Sequence, residues 1–453
     1  MFIAAVAVVL LLVQPFPVLH DYPEWMYQGH IAWSLLTDKT TYTGLFELVP
    51  VPVPNAVSQS AIALLNSVVS PVAAGKVWLA VYFVLALFTG IYAMRSSRYS
   101  GSMQLIFTLS IVFGPGFWNG YINFQFGLLF FALYILCRQR GAAAVLLFSL
   151  LIYFSHASVF AGFVCFVIVC ECLLLRRMRV FAALLPALGL LFWYSIVRLS
   201  AGGGQNEGVG SLFQWAQYKL YTLAKQGPFH NFIQADGESL LASLHGLYLA
   251  GFAINFLIAV IIGLWLLVCA VNIARRRQVA LTADATANGT AANGTAASGT
   301  DNLVPVVITI TVLLAGWLLA GKNTFGVVNL GERFLIVALM LAMLHLQCPN
   351  FIRKIWASLC VVAGVYTVCC LVVLSKATDI YSVSRSAEAS ELESYVDDIY
   401  KNSRHKYFNH RIFIYANLGQ YLIDPDGFSG PPPVDHESSI VRVPAVTPDM
   451  TDE

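Results

Sequence analysis

The chain reads as an all-α polytopic membrane protein of about eleven transmembrane helices, and three features predict it. The first is composition. Hydrophobic residues make up 58% of the 453 and charged residues 11%, with a mean hydropathy of +0.72. An ordinary soluble domain carries roughly 25% charged residues, so this chain is too apolar to coat itself for water. The second is that the apolar residues come in continuous runs, several long enough to cross a hydrocarbon layer of about 30 Å. Lipid admits only helices and closed barrels, and runs that do not alternate exclude barrel strands. The third is the placement of basic residues in the short connections between runs.

The runs lie near 2–19, 76–94, 102–118, 120–137, 142–157, 158–175, 180–197, 246–272, 303–321, 334–350 and 355–375. Arg95/Arg98, Arg138/Arg140, Arg176/Arg177/Arg179, Arg275/Arg276/Arg277 and Arg353/Lys354 fall after alternate runs. By the positive-inside rule that side is cytoplasmic, with the N-terminus inside and the tail from Lys376 outside. Pro15 and Pro17 stand where a signal-peptide cleavage site would need small residues, so the first helix is expected to be retained. The chain then divides into a transmembrane domain, 1–376, and a small extracytoplasmic tail, 377–453.

Between the runs, 15–75 is a long first outer loop. Its "PEWMYQGHIAWSLLTD" (23–38) has the spacing of an amphipathic helix lying along the interface. The prolines of "VPVPVPN" (49–55) force an extended stretch after it. "GPGFWNGYINFQFG" (114–127) is a tight hairpin that sets Asn119 and Asn123 at the outer surface, and "YFSHAS" (153–158) sets His156 there. The second large outer loop, 199–245, holds another amphipathic candidate at 211–226. Residues 278–302 form a low-complexity cytoplasmic linker whose sequons at Asn288 and Asn293 look like a degenerate repeat. "GKNTFGVVNLGERF" (321–334) brings Lys322, Glu332 and Arg333 to the outer side. In the tail, 387–402 reads as a helix, 411–417 as a strand, and the rest from about 424 as disordered.

A net charge of +2 with no basic block gives no reason to expect nucleic acid as a partner. The nine cysteines fall within the runs or at their inner ends, so no disulfide framework is implied, and no His-and-Cys cluster has zinc spacing. Most acidic residues, and every histidine except His345, sort to the outer side, so the chemistry is expected there. Glu171 lies near the Arg176 cluster and reads as its ion-pair partner.

"HDYPEW" (20–25), directly after the first run, resembles the Asp-Tyr-Pro stretch that opens many bacterial members of the GT-C superfamily. "NGYINFQFGLLFFAL" (119–133) is similar to an Asn- and Gly-containing helix of the same proteins. The resemblance implies a membrane glycosyltransferase in the bacterial inner membrane. Its partners would be a polyprenyl-phosphate sugar donor, a glycan or lipid-linked acceptor, and the membrane. It further implies an acidic base in the first loop. Many members carry an acidic pair there, whereas here Asp21 follows a histidine and the next acid is Glu24.

The chemistry asks for the same groups. A general base must take the acceptor proton, worth typically 10²–10⁴-fold, and donors must stabilise the leaving phosphate in a desolvated cleft. Asp21 is assigned as base, with Glu24 as its backup or as the acid that would meet a divalent metal. Arg333, Lys322 and Arg198 are the phosphate candidates, arginine being permanently charged and bidentate. His20, His156, Asn119 and Asn123 are candidates for holding the sugar. Against each stands a bland alternative: an interfacial aromatic-and-acid transition at "HDYPEW", a snorkelling Arg198, or an ordinary Glu332–Arg333 surface pair. Two other functions compete. A lipid-linked-glycan transporter calls for ionisable residues near the midplane, and almost none lies inside a run. An accessory subunit of a polysaccharide export system would keep the fold and lose the site.

Overall fold

The computed structural model describes residues 2–13, 19, 22–37, 46–48, 51–95, 106–137, 141–174, 177–200, 211–224, 246–287, 304–321, 323–324, 327–383 and 440–442. Among them are fourteen α-helices, two π-helical stretches, and two sheets of two short strands each. Four helices are long and apolar enough to cross a membrane, with windows Pro71–Tyr92, Met178–Val197, Ala253–Asn272 and Asn350–Cys369. The chain is thus an all-α protein with membrane-spanning helices, but the expectation of about eleven spans is corrected to four among the described residues.

The reason is length. α1 (Phe2–Val13) has 12 residues, α6 (Ile122–Leu136) 15, α7 (Ala142–Ser155) 14, and both α12 (Val304–Leu319) and α13 (Leu330–His345) 16. At 1.5 Å per residue these are roughly 18–24 Å long, short of the ~30 Å layer. Their apolarity has another cause, because nearly every residue of α6 and α13 is buried inside the bundle. A helix apolar all round and enclosed by its neighbours has the same composition as one facing lipid. The 102–118 run also breaks internally, at the π stretch Thr108–Val112 and the bend into α5 (Pro115–Trp118). Polar side chains take up the backbone groups exposed at that break. Tyr82 Oη donates to Val112 O at 2.7 Å. The Gln125 amide sets its nitrogen 3.0 Å from Ile111 O and its oxygen 2.9 Å from Phe117 N.

The first loop is packed rather than laid on an interface. α2 (Tyr22–Leu36) forms where the spacing predicts a helix, but Tyr22, Met26, Gln28 and Ile31 are fully enclosed. α2 packs against α3 (Ala56–Leu65) and α4 (Pro71–Arg95), with Tyr22 Oη donating to Gly75 O at 2.6 Å. The Gln28 and Gln59 amides bond to each other at the α2–α3 crossing. Between these helices β1 (Phe46–Leu48) pairs antiparallel with β4 (Ile440–Arg442), Glu47 opposite Val441. The tail was expected to lack order from about 424, and these three residues are a strand instead. β-branched Ile440 and Val441 supply the local preference and the first loop supplies the edge. Likewise α11 (Gly246–Ala287) runs ten residues into the expected linker, whose alanines favour helix. The expected tail elements 387–402 and 411–417 lie outside the described residues.

The bundle has two ends. At the near end α8 (Ala157–Val167) and α13 begin side by side, and α4 begins beside α3, where Trp78 Nε1 donates to Ser58 Oγ at 2.8 Å. At the far end the His345 ring lies 6.0 Å from Phe166, and Trp265 Nε1 donates to Gln347 O at 3.2 Å. Trp265 of α11 also meets Trp356 of α14 (Asn350–Val383) there, at 5.4 Å. Arg95 ends α4, Arg177 and Arg179 flank the start of α9 (Met178–Ser200), Arg353 and Lys354 lie near the start of α14, and Arg275 lies on α11 beyond Trp265, all at or past this far end.

α8 and α13 run parallel and close because of one glycine. A Cβ on Gly162 would lie 2.9 Å from Val337 Cγ1. Gly162→Leu should therefore force the helices apart and cost about 1–3 kcal/mol. Gly162→Ala should come out near neutral, its gain in helix propensity of about 1 kcal/mol offsetting a small shift of Val337. Thermal unfolding of the purified protein in detergent checks both. A leucine variant that melts with the parent would show that the contact does not constrain the bundle.

Candidate functional site

His156 occupies the one-residue joint between α7 and α8, and Arg333 the first turn of α13. The spacing set by Gly162 brings Arg333 Nη1 to 2.9 Å from His156 Nε2. Both residues are buried. A guanidinium can only donate, so Nε2 is the acceptor of the Arg333 bond. Nδ1 faces Ser158, whose backbone N–H lies 3.2 Å away as the N-cap contact of α8 and whose Oγ lies 2.8 Å away. Burial first, and the Arg333 charge second, hold the imidazole well below its usual range, so it is neutral at physiological pH. Phe124 meets the His156 ring edge-on at 5.2 Å, and Arg333 lies over the Tyr121 ring at 5.0 Å.

Around this pair the near end is closed by loop anchors. Asn123 Oδ1 accepts from Ser58 N at 2.9 Å, and its Nδ2 donates to Asn55 O at 2.6 Å. Tyr153 Oη donates to Pro52 O at 2.8 Å, so the proline-rich stretch lies against α6 and α7. Asn123, expected to hold sugar, uses both ends of its amide to clamp the first loop. Asn119 is buried at the end of α5. Arg198 stands in the last turn of α9 (Met178–Ser200), which returns from the far end to the near one. Glu24 is in the first turn of α2. His20, Asp21 and Lys322, like the side chains of Glu24 and Arg198, lie outside the described residues.

Several near-end residues escaped the sequence reading. Glu332 is buried, not part of a surface pair, and its charge lies close enough to Tyr218 to raise that phenol, behind burial as the larger cause. Tyr218 belongs to α10 (Leu212–Ala224) and donates to Asn329 Oδ1 at 3.1 Å. Beside it burial lowers the Lys219 ammonium to about 8. Helical spacing had marked 211–226 as amphipathic, but nothing in it says which face meets which turn. Glu171 pairs as expected, with Arg177 Nη1 3.4 Å from its Oε2, at the far end. Among the described residues no group of three or more His, Cys, Asp or Glu is placed to hold a metal ion.

No family model matches this chain, and neither does any curated protein or solved structure. Function therefore has to be argued from the geometry and from the short motifs quoted above.

Arg333→Gln should let His156 titrate at higher pH, because one of the two causes that keep it neutral is gone. Carbon-13 NMR of labelled imidazole reads this directly. The sign for stability follows. His156 is neutral in the fold but protonates near pH 6.5 when unfolded, so acidification below about 6.5 favours opening of the near end. An unmoved titration in Arg333→Gln would show that the two groups are not coupled.

Proposed function

We propose that this chain is a membrane glycosyltransferase that moves a sugar from a polyprenyl-phosphate donor to a glycan or lipid-linked acceptor, at the near end of the bundle. The observation that supports it is the buried Arg333, held at 2.9 Å by a neutral imidazole. The imidazole orients a guanidinium that is permanently charged and able to form a bidentate fork, which suits a group that must stabilise a leaving phosphate. The resemblance of "HDYPEW" supplies the other half: Asp21 takes the acceptor proton, with Glu24 on the following turn as its neighbour. Tyr22, next in sequence to Asp21, is buried and fixed on Gly75 O, which gives the base a rigid support.

The charge asymmetry favours an extracytoplasmic site. The basic helix ends gather at the far end, and the positive-inside rule puts that end in the cytoplasm. β1–β4 pairing puts part of the first loop and part of the tail on one side, as that orientation needs.

Membrane vesicles from cells lacking the native gene, complemented with each variant, test the reading by sugar transfer from a labelled polyprenyl-phosphate donor. Asp21→Asn should lower turnover by about 10²-fold or more at unchanged membrane abundance, the usual range for a lost base. Arg333→Ala should abolish transfer, and Arg333→Lys should restore only a part, since a point charge lacks the bidentate fork. Full transfer by Asp21→Asn would remove it as the base. Full transfer by both Asp21→Asn and Arg333→Ala would leave an accessory subunit as the better reading. In a cysteine-free background, a thiol at Ser211 should react with an impermeant reagent in intact cells and one at Arg275 should not. The reverse pattern would invert the orientation.

A further inference from the structure

α10 turns one face to a single stretch of chain. Trp215 Nε1 donates to Leu318 O at 3.0 Å, and Lys219 Nζ donates to Trp317 O and Ala320 O at 2.5 Å each. Tyr218 Oη reaches Asn329 Oδ1, and Trp317 Nε1 donates back to Thr222 Oγ1 at 3.0 Å. Positions 215, 218, 219 and 222 share one side of a helix. Their carbonyl targets close the C-terminus of α12, where backbone acceptors have no intrahelical partner and a cation is favoured. The packing is close: a Cβ on Gly331 would lie 3.0 Å from Trp317 O and 3.4 Å from Lys219 Nζ. Asn329, held by Tyr218, is the residue from which α13 and the turn carrying Arg333 start.

The opposite face of α10 is bare. Phe213 and Leu220, seven residues apart, are 77% and 67% exposed. α10 packs against α11, whose window Ala253–Asn272 is long and apolar enough to cross a membrane and exposes Phe256, Leu257 and Val260. The stripe therefore belongs to a helix packed on a candidate membrane span, and an exposed apolar stripe in that setting suits the membrane interface.

We propose that α10 is a lipid-seated latch: its Phe213/Leu220 stripe docks on the lipid surface, and Lys219, a positioning residue, holds the C-terminal turn of α12 beside the start of α13 so that Arg333 meets His156. The latch does not depend on which donor the site takes.

The test uses the full-length protein in phosphatidylcholine/phosphatidylglycerol nanodiscs. p-Benzoylphenylalanine at position 213 or 220 should give lipid adducts on irradiation, and at Gln214, on the polar face, should not. Adducts to another polypeptide at both positions would overturn the lipid seat in favour of a protein partner. Hydrogen exchange reads the latch itself. Phe213→Asp and Lys219→Met should each raise exchange across 317–333 by about tenfold or more and leave α6 and α7 unchanged, as local opening does. Phe213 is exposed, so Phe213→Asp folds with or without a latch, and unchanged exchange in that variant would overturn the proposal.

Discussion

A buried guanidinium must be met by acceptors, and at Arg333 the requirement falls on an imidazole. Much of the near end follows from that contact. The ring has to stay neutral, and its Nδ1 caps α8 by facing the Ser158 backbone N–H and Oγ. It has to stand in one orientation, which the edge of Phe124 helps set. The two helices have to approach within the reach of an arginine, which a large side chain at Gly162 would hinder. A carboxylate in the place of His156 would bind more strongly, whereas the imidazole gives a weaker, neutral bond.

The rest of the near end is held less by hydrophobic packing than by side chains reaching backbone groups of loops. Asn123, Tyr153, Tyr22 and Lys219 each close such a contact across a long sequence separation. A bundle of short helices has many ends, and every end leaves about four donors or four acceptors without intrahelical partners. Away from water each unmet group costs roughly 1–3 kcal/mol, so the polar residues of this apolar chain are concentrated where helices stop. For the same reason a polar residue at a helix end is weak grounds for a binding role. Asn123 shows it: the hairpin position that suggested sugar binding serves to fix residues 55 and 58.

Composition and run length made the membrane class and the all-helical fold legible, and the α2 and α10 segments stood where periodicity put them. The span count was not legible, because a helix enclosed by its neighbours and a helix facing lipid are equally apolar. α6 and α13 were read as crossings on those grounds, and only their length and burial distinguish them. His156 and Arg333 were recognisable as ionisable residues at apolar boundaries, 177 positions apart. Their contact depends on which helix ends adjoin, which no local pattern encodes. Lys219 and Glu332 were missed for a related reason: each looked solvent-facing in a polar segment, and tertiary packing buried it. The β1–β4 pair likewise joins two stretches too short to register as strands on their own.

Helix dipoles add to the same electrostatic pattern. α8 and α13 both begin at the near end, so their positive ends lie next to the His156–Arg333 pair. α12 ends there, and its negative end would oppose them, but Lys219 covers its last carbonyls with an amine. A protonated His156 would add a third positive element in a desolvated space, which is why burial and Arg333 together keep it neutral. Glu332, in the first turn of α13, is the acid that such a field best tolerates when buried. Among the described residues the near end thus combines two helix N-termini, Arg333 and Lys219 with the buried Glu332. The far end collects exposed basic residues that water and lipid headgroups can screen. A phosphate on a lipid carrier would be drawn to the first and only bound loosely by the second, because charge counts for more where solvent is excluded.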